Sequence, residues 1–95
     1  MYKLKEIAGA LALVEDEKII EDFLKSLLTN NEISEISSRW ELVKLLNKGI
    51  SQRKISEALG LSLCKITRGS RELRKKNSSF RHMIEIEASR RKNNR

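Results

Sequence analysis

Proline is absent from the chain, and with it the residue that most often breaks a helix or stiffens a turn. Aromatic residues make up only 4% of the 95 positions, so one common class of strand former is scarce. A single cysteine, Cys64, excludes an intrachain disulfide and fits a reducing compartment. His82 is the only histidine, and Cys64 its only conceivable thiol partner. They fall on different predicted helices with no oxyanion-hole motif, so catalysis has little support and no catalytic residue is assigned. His82 reads instead as a helix surface or interface residue. There is no metal-spaced His/Cys set, no glycine-rich phosphate loop and no internal repeat. No apolar run approaches the roughly 20 residues that span a bilayer. The apolar patch at 7–14 is short and lacks the cleavage site of a signal peptide. An all-α, soluble, cytoplasmic protein that is not an enzyme is the expectation.

Charge is plentiful: 35% of residues are charged and the net charge is +7. It is spread unevenly. Residues 1–50 carry seven basic and nine acidic side chains, whereas residues 77–95 are net basic. The densest block is 51–76, where Arg53, Lys54, Lys65, Arg68, Arg71, Arg74, Lys75 and Lys76 face only Glu57 and Glu72. A near-neutral front and a basic back look like an assembly half and a nucleic-acid half. A core this small stabilises only marginally alone, and many chains of this length gain stability by oligomerising.

The basic block also has a readable geometry. Ser51 is placed to cap a short helix, and Ile55, Ala58 and Leu59 form one apolar stripe at helical spacing. Gly60 can take positive φ at the end of that helix. Leu61 then points back to the core, Ser62 caps a second helix, and Leu63, Ile66 and Leu73 continue the apolar face. Two short helices about a glycine-containing turn make a helix-turn-helix over 51–76. A basic second helix suits a polyanion, because each neutralised phosphate releases condensed counterions. The alternative is a solvated basic face on an ordinary helical hairpin.

Before this block, helical spacing of Leu4, Ile7, Ala8, Leu11, Ala12 and Val14 predicts a first helix from Tyr2 to about Glu15. Asp16 caps a second, whose apolar face is Ile19, Ile20, Phe23, Leu24, Leu27 and Leu28. That face is wider than one small core covers, which favours a partner subunit over burial in a monomeric bundle. Thr29 and Glu32 form a capping box for a third helix running to about Lys48. It presents Ile33, Ile36, Trp40, Val43 and Leu46, with Leu42 and Leu45 beside them, and Gly49 ends it. After a turn at 77–79, a last helix from about Phe80 to Ser89 turns Phe80, Met83, Ile84 and Ala88 inward. The tail 90–95 is expected to fray.

ITRGS at 66–70, preceded by SQRKI at 51–55 and ALG at 58–60, resembles the Trp repressor family. A Leu-Thr step before the third helix (Leu28-Thr29), an arginine ten residues on (Arg39) and Gly49 ten further keep that family's spacing. The chain is one residue shorter between Gly49 and Ser51. The resemblance covers about residues 23–76 well and the flanks in pattern only.

It implies a six-helix intertwined homodimer, with 1–95 as one domain, the helix-turn-helix at 51–76, and dimerisation helices at 1–48 and 78–90. It implies no cofactor, L-tryptophan as corepressor, and double-stranded operator DNA in tryptophan-pathway genes as target. Carried over by position, the ligand pocket comprises Thr29, Arg39, Arg68 and Gly69, with Leu28 lending backbone from the other subunit. An indole between two guanidinium planes gains about 0.5–2 kcal/mol of cation–π attraction from each, and the arginines can meet the ligand's carboxylate. A glycine inside a helix costs about 1 kcal/mol relative to alanine. Gly69 therefore asks for a reason: a flat ring lying on the backbone, or close packing of two helices. Glu72 stands where the family commonly has serine. It can accept from the ligand's ammonium or indole N–H, pair with Arg68, or repel the ligand's carboxylate.

The DNA-facing positions carried over are Gln52, Arg53 and Ser56, then Leu63, Cys64, Lys65, Thr67 and Arg74. Gln52, Arg53, Lys65 and Arg74 suit phosphate or guanine, Thr67 can donate to phosphate, and Leu63 and Cys64 can touch thymine methyls. Three functions compete: a tryptophan-gated repressor, a regulator of the same fold that is ligand-independent or answers another small molecule, and a helical interaction module whose basic face meets an acidic protein.

Overall fold

A computed structural model describes residues 3–93. Tyr2, the expected start of the first helix, and positions 94–95 of the tail lie outside the described residues. Among the described residues there are six helices and no strand: α1 (Lys3–Ala12), α2 (Glu17–Leu27), α3 (Asn30–Asn47), α4 (Gln52–Leu59), α5 (Leu63–Arg74) and α6 (Ser79–Asn93). The chain divides into two compact units, Met1–Glu35 and Ile36–Arg95.

In the first unit the boundaries are set by caps. Asp16 accepts from the Lys18 amide at 2.9 Å and starts α2. Thr29 Oγ1 accepts from the Glu32 amide at 3.1 Å, while Glu32 Oε1 accepts from the Thr29 amide at 2.8 Å. This reciprocal pair is the expected capping box, and it satisfies two amides that would otherwise lack partners. Neither α1 nor α2 buries a residue. Ile20, Leu24 and Leu28 are half-buried, but Ile19, Phe23 and Leu27 remain 39–55% exposed. Half of the α2 apolar face is thus open.

The second unit has the core. Leu42 of α3, Ile55 of α4 and Ile66 of α5 are sealed together, with Leu45, Leu46, Leu59 and Leu61 packed around them. Ser51 accepts from the Lys54 amide and Ser62 from the Lys65 amide, so both expected caps form. Between α4 and α5, Gly60 adopts φ 65°, the left-handed conformation that glycine takes at no steric cost. The three-residue turn is closed by Ser56, whose hydroxyl donates to the Leu61 carbonyl at 2.9 Å. α5 also packs against α6. There Ser78 caps by accepting from the Arg81 amide at 3.1 Å, and Phe80 lies 6.5 Å from Trp40, centroid to centroid.

Five expectations need correction. Ala58, expected in the apolar stripe of α4, is exposed, and α1 ends at Ala12 rather than near Glu15. Leu63 does not continue the apolar face: it opens α5 at its solvent end, 61% exposed, and Leu61 in the turn fills the place beside the core. Met83 is likewise exposed, because Phe80, Ile84 and Ala88 at i, i+4 and i+8 form the covered stripe of α6 and Met83 is offset from it. The last helix does not end near Ser89. Helix α6 runs to Asn93, with no proline or glycine to stop it and Arg91 paired to Glu87 one turn back at 3.1 Å.

Ile66 is 0% exposed, and truncation to alanine at such a site costs about 2–5 kcal/mol. Urea unfolding is expected to show a loss in that range for Ile66→Ala. For the solvent-facing Leu63→Ala the expected change is within about 0.5 kcal/mol.

Candidate functional site

The basic block becomes a surface through the burial of its apolar partners. With Ile55 and Ile66 turned into the core, the charged residues of α4 and α5 are forced outward. Gln52, Arg53, Lys54, Cys64, Lys65, Arg68, Arg71 and Arg74 are all exposed. Arg53 makes only a loose contact with Glu57, 3.9 Å on an exposed helix side. Such pairs contribute little stability and do not hold a side chain away from an incoming anion.

Of the eight residues expected to face DNA, six are exposed: Gln52, Arg53, Leu63, Cys64, Lys65 and Arg74. Thr67 is half-buried on α5. Ser56 is half-buried too, and its hydroxyl proton is committed to the Leu61 carbonyl, so it fixes the turn and offers only oxygen lone pairs outward.

The residues expected around a small ligand fall in both units. Leu28 and Thr29 belong to the first, half-buried and exposed respectively. Arg39, Arg68, Gly69 and Glu72 belong to the second. Gly69 is buried, and a Cβ built on it would lie 3.0 Å from Leu42 Cδ2 and 3.6 Å from Val43 Cγ2. The close packing of two helices is therefore realised: the missing Cβ lets α5 approach α3. Arg39 precedes Leu42 and Val43 by three and four residues, which puts it on that side of α3, one turn from the contact. Arg68 adjoins Gly69 in sequence. Both arginines are exposed.

Glu72 pairs with Lys75, Nζ to Oε2 at 2.8 Å, and not directly with Arg68 one turn behind it. The hydrogen bond from Lys75 holds its carboxyl below the usual glutamate range, against a small desolvation, and the charges of Lys75 and Arg68 lower it further. At neutral pH the carboxylate is ionised and already has a cation. Among the described residues no acidic, His or Cys cluster could hold a metal ion, and no helix is long and apolar enough to cross a membrane.

One contributor escaped the sequence reading. Arg81, in the first turn of α6, donates from Nη1 to the Leu73 carbonyl at 2.9 Å, and from Nη2 to the Lys75 and Lys76 carbonyls at 3.1 and 3.2 Å. The available signal was a cation in a first helical turn, where the helix dipole disfavours it.

Comparison with known proteins bears on what this surface does. The family model described as Trp repressor protein matches residues 2–88. A Trp operon repressor homolog of Chlamydia trachomatis serovar L2 is 31% identical over 75 residues, 78% of this chain and 80% of the relative. One from Vibrio parahaemolyticus is 35% identical over 72 residues, 75% of this chain and 70% of the relative. Another, from Vibrio vulnificus, is 42% identical over 62 residues, 64% and 61% respectively. No solved structure matches the chain significantly.

Two measurements check the geometry. Gly69→Ala gains about 1 kcal/mol of helix propensity but presses a methyl onto Leu42, which is 2% exposed and has little room to give. Overpacking costs about 1–3 kcal/mol, so thermal unfolding is expected to show a net destabilisation of about 1 kcal/mol. Glu72 has a lowered pKa in the folded state. Its contribution is thus present above the ordinary glutamate pKa and lost as pH falls through the lowered value. Glu72→Gln is expected to flatten the acid limb of the stability profile on the low side of the ordinary glutamate pKa, as read by unfolding at a series of pH values.

Proposed function

The chain belongs to the Trp repressor family, and from that premise we propose that it is a sequence-specific, DNA-binding transcriptional repressor. It acts as an intertwined homodimer, takes L-tryptophan as corepressor, and controls genes of tryptophan biosynthesis or salvage. The family is one of transcription regulators; the DNA, ligand and dimer are the proposal.

The observation that carries the DNA reading is the α4–turn–α5 pair. Both helices are capped by serine, joined through a left-handed glycine, and sealed inward by Ile55 and Ile66. That arrangement supports a helix-turn-helix reading, with the basic residues of α5 outward, where a major groove would receive them. In this role Arg53, Lys65 and Arg74 meet phosphate or guanine, while exposed Leu63 and Cys64 reach thymine methyls. Two copies in a dimer read half-sites about one DNA turn apart, as helix-turn-helix dimers do, Trp repressors among them. The open face of Ile19, Phe23 and Leu27, on a unit where α1 and α2 bury nothing, supports the dimer.

For the corepressor, Arg39 and Arg68 offer guanidinium planes and charge to an indole and a carboxylate. A ligand that binds α5 and α3 together favours one orientation of α5 and shifts the population toward it. Thr29 and Leu28 complete the set by position. A second reading is favoured by the Glu72–Lys75 pair, which places a carboxylate one turn from Arg68. A regulator of the same fold with another ligand, or none, fits that charge, and calorimetry with tryptophan and indole analogues separates the two.

Tryptophan is expected to tighten binding to a selected duplex at fixed salt. Arg39→Ala and Arg68→Ala are expected to weaken that dependence about tenfold or more, the scale of a lost hydrogen bond to a charged group, with dimerisation intact by sedimentation. Equal duplex affinity with and without tryptophan removes the corepressor and leaves the second reading.

A further inference from the structure

Arg81 stands in an unfavourable place. It is the third residue of α6, at the positive end of that helix's dipole, and it follows Arg74, Lys75 and Lys76 closely in sequence. Its guanidinium is nevertheless half-buried and aimed at the chain leaving α5. Nη1 reaches the Leu73 carbonyl, one of the last four of α5, which have no partner within the helix. Nη2 reaches the carbonyls of Lys75 and Lys76 in the link beyond. The backbone at Arg81 is fixed as well, because its amide donates to Ser78 Oγ, and Ser78 is buried. One turn further along, buried Ile84 anchors α6.

We propose that Arg81 is a positioning residue: its guanidinium clamps the C-terminal end of α5 and thereby sets where Arg74, Lys75 and Lys76 present their charges. The geometry is that of a fork across three carbonyls, which a lysine ammonium does not reproduce, since it is a single point on a flexible stem. The negative end of the α5 dipole favours a cation here and offsets the repulsion of the neighbouring lysines and arginines. Turned onto carbonyls, the guanidinium contacts no phosphate. Its effect on DNA runs through the backbone it holds, and this part rests on the DNA reading above.

The test uses the full chain as its native oligomer, with and without DNA. By hydrogen exchange in free protein, Arg81→Ala is expected to speed exchange about tenfold at the amides of residues 73–75, with the amides of Ile55 and Ile66 unchanged. That factor is the scale of losing one hydrogen bond to a charged group. With a duplex selected by the wild-type chain, affinity is expected to fall about tenfold. With a mixed-sequence duplex it falls less, so the preference between the two narrows. The slope of affinity against salt stays at its wild-type value, whereas loss of a phosphate contact lowers it by about one. Arg81→Lys is expected to lie between wild type and alanine in exchange and in preference, and it carries the test should the alanine variant not fold. Wild-type exchange at 73–75 in either variant overturns the clamp, and a salt slope reduced by about one overturns the indirect role. A wild-type chain that selects no duplex overturns the DNA reading instead, while exchange still decides the clamp.

Discussion

Three aliphatic side chains, Leu42, Ile55 and Ile66, meet with essentially no solvent between them, and the second unit depends on that contact. Each contributes about 1.5–3 kcal/mol by leaving water. Val43 and Ile84 are buried in the same unit, whereas its ion pairs are solvent-exposed and contribute little. The contact also has a directional consequence. Ile55 and Ile66 come from successive helices, so sealing both to Leu42 fixes the rotation of each about its axis. The orientation of every basic side chain on α4 and α5 follows from that rotation. Gly69 tightens the arrangement on α5's α3-facing side, where a methyl group would meet Leu42.

With so small a core, hydrogen bonds at helix ends carry unusual weight. Each of the caps at Asp16, Thr29, Ser51, Ser62 and Ser78 is worth about 1 kcal/mol. Together they are comparable with the three sealed side chains. They also decide where each helix starts, and a shift of one residue at Ser62 would rotate the basic face of α5 by about 100° relative to the core. Capping and core therefore specify the same thing from two directions, which is the consistency expected of a surface that must present particular residues.

The parts of this fold that were legible in the sequence are those written locally. Ser51, Gly60 and Ser62 act through neighbours within four residues, and the Thr29–Glu32 box through three, so their spacing alone announces them. The motif ITRGS with its flanks identified the family, and the family match at 2–88 bears that out. What remained hidden depends on distance along the chain. Apolar spacing put Leu63 and Met83 on inward faces beside Leu61 and Ile84, but which side of a helix is covered is decided by its neighbours, and of these four only Leu61 and Ile84 lie inward. Arg81 reaches back eight residues to Leu73 across a turn, a reach no periodicity encodes. Glu72 left three partners open, and Lys75, three residues on, was none of them.

On the proposed function, the sealed contact limits how a ligand can act. Were α5 to swing as a rod, Ile66 and Gly69 would have to leave Leu42, costing several kcal/mol of burial. A small molecule gripped by two exposed arginines has only about 1–3 kcal/mol of differential affinity to spend in a typical coupling. Such a ligand cannot drive that separation. It can select among orientations that keep Ile66 seated, in which the two ends of α5 adjust about a fixed middle. One end is set by the Gly60 turn and Ser62, the other by Arg81, and Arg68 lies between them. A ligand-coupled movement of α5, if the proposed function holds, would be a small tilt that keeps Ile66 seated on Leu42.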